Sequence, residues 1–139
     1  TLNSCIAIED SLACKILYRP LAALRKEFPN LSDLAVKIYS QALATTLDTQ
    51  NCLSIHSASS RLAQFLILFS QRANQVAYQQ AALHLSMSRQ DIASHLGIAV
   101  ETVSRSFSKL IASGCITKSG RVINIIDSSK LENIARAAP

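Results

Sequence analysis

The sequence predicts a mainly α chain with a small β component, a long helix leading into shorter helices that end in a β-hairpin. Three observations carry this expectation. Apolar residues recur at helical spacing through Leu31–Leu53, a glycine ends each of two successive amphipathic segments at Gly97 and Gly114, and CITKSGRVINIID (115–127) alternates around a glycine. At 139 residues, 49% of them apolar and 17% charged, the chain can bury a core and is not a candidate for disorder. Tryptophan is absent and aromatics are few, so that core must come from Leu, Ile, Val and Ala.

Taken in order, CIAIEDSLACKILY (5–18) reads as two short strands around Glu9-Asp10-Ser11. A lone hairpin is marginal in water, so these are expected to belong to a sheet lying upstream. With no initiator Met, the chain is expected to be a piece of something longer. Arg19-Pro20 breaks the strand and opens a short helix, PLAALRKEF, ended by Pro29-Asn30. The long helix carries two stripes: Val36, Tyr39, Leu43, Thr46, Gln50 and Leu53 at heptad spacing, and Leu31, Leu34, Ile38, Ala42 and Thr45 beside them. Two stripes mean two packing surfaces, met either by a second subunit or by burial within one.

HSASSRLAQFLILFSQRANQ (56–75) reads as a core helix with a serine-rich start, followed by a polar loop at 74–80 and a strand at 82–87, ALHLSM. SRQD (88–91) has capping-box spacing with Asp91 in the usual Glu position, and Met87 is placed to staple onto Ile92. The helix RQDIASHL stops at Gly97, and a second runs from Val100 to about Ser113 before Gly114. A hairpin turning at Ser119-Gly120 follows, and Ser129–Glu132 is a second capping box opening a short last helix.

Helix, glycine turn, second helix and hairpin describe a winged helix-turn-helix. Ala93 is small where the two helices cross, Ile92, Leu96, Ile98 and Val103 fill the space between them, and Val103, Phe107, Leu110 and Ile111 form the inner side of the second. Glu101, Ser104, Arg105 and Ser108 share the outer side. In a major groove an Arg donates twice to guanine, a Glu accepts from cytosine and a Ser adapts to either. The competing reading, a solvated face, more often carries Lys and Glu in i, i+4 pairs than one Arg among serines. A net charge of +5 and a pI near 9.3 agree with an acidic partner.

MSRQDIASHLGIAVETVSRSFSKLIASG closely resembles the C-terminal DNA-binding domain of the Crp/Fnr transcription regulators. The likeness extends back through RLAQFL, the long helix and ACKILYRPLAALRKEFPNL, so it covers essentially the whole chain. It implies three parts: 1–28, the end of an N-terminal β-roll sensor; 29–55, a dimerisation helix; and 56–139, the winged helix-turn-helix. Glu101, Ser104 and Arg105 match the ExxSR pattern of the Fnr branch, which reads a TTGAT half-site in an inverted repeat; the Crp branch has an arginine at Val100 and a glycine at Ser104. The resemblance therefore implies a homodimer on double-stranded DNA, with base readout by Glu101, Ser104 and Arg105 and backbone contacts from Arg89, Thr102, Lys118 and Arg121. It also implies an activator of oxygen or redox response that meets RNA polymerase in a bacterial cytoplasm. The dimer seam is expected along Val36, Tyr39, Leu43, Thr46, Gln50 and Leu53. Two departures stand out: Ala99 replaces the usual Ser or Thr cap, and Ser106 replaces a common Leu.

The four cysteines show neither a CxxC pair nor a dense disulfide framework, in keeping with a reducing cytoplasm. The longest apolar run, in LAQFLILF, is far short of a membrane span, and no signal peptide is recognisable. Cys14 falls where oxygen-sensing members place an internal iron–sulfur ligand, against the alternative of an ordinary buried cysteine. One thiolate cannot hold a 4Fe–4S cluster, so a cofactor is expected only in a full-length parent. Cys5, Cys52 and Cys115 read as structural. His56, His84 and His95 lie on separate elements without a nucleophile motif, so no enzyme is expected. A second reading remains: a dimerisation or protein-interaction module without autonomous DNA binding.

Overall fold

A computed structural model of the protein describes residues 6–15, 17, 19, 20, 24, 28, 30–55, 57–76 and 82–136. The chain divides into two compact units, Thr1–Thr49 and Gln50–Pro139. Cys5 and His56, the side chains of Cys52 and Leu53, most of the 20–28 helix and most of the 74–80 loop lie outside the described residues.

In the first unit, 6–15 is extended chain with bends at 8–10 rather than two strands. A strand exists through its ladder of hydrogen bonds to a neighbour, and the described residues offer this segment none; Ile6 and Leu12 are almost fully exposed. Helix α1 spans Asn30–Ser54 and starts directly after Pro29, with Asp33 in its first turn, where a carboxylate complements the helix dipole. Leu34, Val36, Ile38, Tyr39, Leu43 and Leu47 on α1 are each at least half exposed.

The second unit opens with α2 (Ala58–Val76), then β1 (Leu83–His84), α3 (Arg89–Leu96), α4 (Val100–Ala112), β2 (Ile116–Ser119), β3 (Val122–Ile125) and α5 (Ser128–Arg136). Its antiparallel sheet has the order β1-β3-β2. Helix α2 lies against α4 and α5, and the core joins Leu62 and Leu66 of α2 to Ile92, Leu96, Val103, Phe107, Leu110, Ile116, Ile123 and Leu131, all buried.

Local chemistry sets the boundaries. The Ser88 hydroxyl accepts from the Asp91 N–H at 3.1 Å while the Asp91 carboxylate accepts from the Ser88 N–H at 2.8 Å, a complete capping box. Met87 is partly buried against the core that includes Ile92. Gly97 adopts φ 62°, ψ 39° and its N–H donates to the Ala93 carbonyl, a left-handed ending that costs a glycine least.

Four local expectations are corrected. The 82–87 strand is only Leu83–His84, because its partner β3 gives way to a turn: Leu83 faces Ile123, His84 faces Val122, and the Leu85 N–H reaches the Arg121 carbonyl in that turn. The hairpin turns at Gly120-Arg121, one residue later than expected, since Ser119 still pairs with Val122; Gly120 supplies the positive φ of 58°. The last helix is capped by Asp127, whose carboxylate accepts from the Lys130 N–H at 2.8 Å. Asp127 precedes Ser129 and meets the first orphan donors, so Glu132 is left to pair with Arg136 at 3.4 Å instead. Finally, Ile111, expected on the inner side, is 42% exposed, and the buried side of α4 is Val103, Ser106, Phe107 and Leu110.

Candidate nucleic-acid interface

Helix α4 turns one face into the core and offers the other to solvent. Glu101, Ser104, Arg105 and Ser108 are all exposed. The Arg105 guanidinium donates to the Thr102 hydroxyl at 3.2 Å, and the Ser108 hydroxyl donates to the Ser104 carbonyl of its own helix at 3.2 Å. Glu101 in the first turn complements the dipole. Ala99 is the N-cap, with extended backbone and no side-chain hydrogen bond, so the donors at the start of α4 have no side-chain cap.

The expected backbone-contact residues differ among themselves. Thr102 is half-buried beside Arg105. Arg89, the first residue of α3, lies with its guanidinium carbon 3.5 Å from the centre of the Phe107 ring. Burial lowers its pKa from the ordinary value, though an arginine remains a cation. Lys118 folds back to the Gly120 carbonyl within the hairpin turn, and Arg121 is exposed beside it.

A cavity of about 300 Å³ borders this face, lined by Ser57, Ala58 and Ser59 at the start of α2 and by Thr102, Arg105, Ser106 and Lys109 of α4. Ser106 is 3% exposed and reaches the cavity from the inner side of α4. A helix start, two cations and several hydroxyls make a setting for an anion. Sequence reasoning missed this convergence. The serine-rich start of 56–60 was legible as a helix N-terminus, and Lys109 shares a side of α4 with Thr102 and Ser106, but nothing local says that the two segments meet. Arg61 was missed as well: it donates to the Ile55 carbonyl and, at 3.1 Å, to the Leu96 carbonyl, tying α2 to the C-terminal end of α3.

Of the expected dimer residues, Val36, Tyr39 and Leu43 are 62%, 64% and 62% exposed, and Thr46 and Gln50 are exposed too. Cys14 is an exposed free thiol, whereas Cys115 is buried and accepts from the Ser113 hydroxyl at 3.1 Å. Among the described residues no three His, Cys, Asp or Glu side chains could hold a metal ion together. His84 lies 3.5 Å from the Ser86 hydroxyl, and the His95 ring tilts against Phe65 at 5.4 Å between centroids. Burial, and secondarily Arg72, holds the His95 pKa below the ordinary histidine value.

The family model for the Crp-like helix-turn-helix domain matches residues 60–134, more than half of the chain. The chain belongs to the Crp-like helix-turn-helix family. The match runs from α2 into α5 and so contains the α3–α4 pair and the hairpin. The Crp-like chain is 32% identical over 125 residues to the transcriptional activator protein anr of Pseudomonas aeruginosa, covering 90% of this chain and 51% of the relative. It is 33% identical over 129 residues to the fumarate and nitrate reduction regulatory protein of Salmonella typhi, covering 93% and 52%. The chain thus spans about half the length of the curated relatives it matches. Among solved structures it is similar to FixK2 from Bradyrhizobium japonicum, with TM-score 0.73, 27% identity, and coverage of 87% of this chain and 60% of that one. It also resembles a CooA mutant from Carboxydothermus hydrogenoformans, with TM-score 0.70 and 27% identity over 84% of this chain and 54% of that one.

Proposed function

We propose that the chain is the dimerising and DNA-binding part of a Crp/Fnr-type transcription regulator, with α4 reading a TTGAT inverted repeat in the major groove. The observation that carries this reading is the exposed Glu101–Ser104–Arg105 face on a helix whose opposite side is fixed in the core. Arg105 reads guanine, Glu101 the cytosine edge, and Ser104 the thymine step. Arg89, Thr102, Lys118 and Arg121 contact phosphates, and the cavity at the start of α2 receives a further one. Residues 29–55 form the dimer helix, 56–139 the winged helix-turn-helix, and 1–28 the end of a sensor domain. The relatives are named as regulators, not enzymes; the same analogy supplies a bacterial cytoplasm, activation through RNA polymerase and response to oxygen or redox state.

An iron–sulfur cluster does not fit what the described residues offer, a single exposed thiol at Cys14 with no companions. Cys14 is a ligand only alongside cysteines of a longer parent. The alternative of an interaction module without DNA binding draws on the uncapped start of α4 and the exposed apolar stripe of α1.

Band-shift on a TTGAT inverted repeat tests the main reading. Arg105→Ala is expected to lose about 1–3 kcal/mol of binding and to relax discrimination at the guanine step. Retention of parental affinity and discrimination by the variant would disprove the readout. Duplex affinity that barely changes with salt favours the interaction module.

A further inference from the structure

Arg89 stands where its charge is unwelcome. It is the first residue of α3, and a cation at a helix N-terminus opposes the dipole. Its guanidinium carbon nevertheless lies over the Phe107 ring, 3.5 Å from the ring centre, and Phe107 is 2% exposed. An aromatic face carries negative potential, and a cation over it is held in place as well as attracted. The position along α4 gives this pairing a meaning. Thr102, Ser106 and Lys109 border the exposed stripe on the side of the cavity, whereas Val100, Phe107 and Ile111 border it on the other. A helix lying in a major groove has a phosphate strand along each border. Cavity and Arg89 therefore mark opposite borders of one reading face.

We propose that Phe107 is a positioning residue for DNA binding, its ring holding the Arg89 guanidinium at the α3 border of α4, ready for the phosphate strand there. The proposal rests on the DNA-binding reading above. Arg89 supplies the charge that meets the phosphate. Phe107 touches no DNA and acts by removing rotamer freedom that a long side chain otherwise loses on binding. Partial burial of the arginine agrees, since its guanidinium is already stripped of some of its water.

Fluorination of the ring separates this role from packing. Replacing Phe107 with mono-, di- and trifluorophenylalanine nearly preserves its shape and progressively empties the ring face of negative potential. Duplex affinity of the full chain for the TTGAT repeat is expected to fall stepwise, about threefold to fivefold over the series. The salt slope should stay unchanged, because no charge is lost. Arg89→Ala is expected to lower affinity and to reduce that slope by about one, and in its background the fluorinated series should be flat. A flat series in the parent overturns the proposal, as does an equal fall in the Arg89→Ala background, which would mark Phe107 as packing alone. A parent chain that binds no duplex overturns the DNA-binding reading itself, and this proposal with it. Thermal melting of each variant shows whether the folded fraction is constant.

Discussion

At the scale of single residues, short-range electrostatics decide the most. Asp91 is the acid of the α3 capping box, and its side-chain and backbone hydrogen bonds to Ser88 hold its pKa below the ordinary aspartate range. A depressed carboxylate contributes stability that is present above the unfolded pKa and lost as pH falls through the lower folded value. Melting temperature is expected to drop on the acid side of about pH 4, and Asp91→Asn should reduce that dependence. His95 acts nearer neutrality. Burial against Phe65 favours its neutral form, so the unfolded chain binds more protons between the two pKa values, and stability falls as pH drops below about 6.5. His95→Gln should flatten that part of the curve; an unchanged profile across pH 7.5 to 5.5 would sink the assignment.

At the scale of elements, α4 is the informative case. Its inner stripe places three apolar side chains and Ser106 in the core, and its N-cap is alanine in an extended conformation already suitable for a capping hydroxyl. Ala99→Ser is expected to stabilise the domain by about 1 kcal/mol, read as a higher denaturation midpoint at constant m-value. In the DNA-binding reading the same hydroxyl also tightens duplex binding through a phosphate. The α3 boundaries were legible in the sequence because capping box and left-handed glycine are local chemistry. The cap of the last helix is not legible in the sequence, because two serines and an aspartate compete within three positions and only the hydrogen bond from the Lys130 N–H selects Asp127. Periodicity places Ile111 inward, and the structure departs from it for a similar reason. It sits one step beyond the buried arc, where the partner surface, not the periodicity, sets exposure.

At the scale of the whole molecule, the second unit has a continuous core, while α1 shows a row of large apolar side chains to solvent. Such a row is a surface for association. In the dimer reading, Leu43→Glu shifts sedimentation toward the monomer and weakens operator binding, with the melting of the second unit unchanged. Monomeric behaviour of the parent chain at micromolar concentration would argue against the seam.

The sequence by itself determined the succession of helices from α1 to α5, the ends of α3 and the outward stripe of α4, because periodicity, caps and glycine endings act within a few residues. It also carried the family likeness, since the ExxSR pattern is contiguous. Tertiary structure alone brought Ser57–Ser59 to Arg105 and Lys109, set Arg61 on the end of α3, and laid Arg89 over Phe107. It likewise left 6–15 without strand structure. These outcomes depend on which distant segments meet, and a strand or a cavity exists only once its other half has arrived.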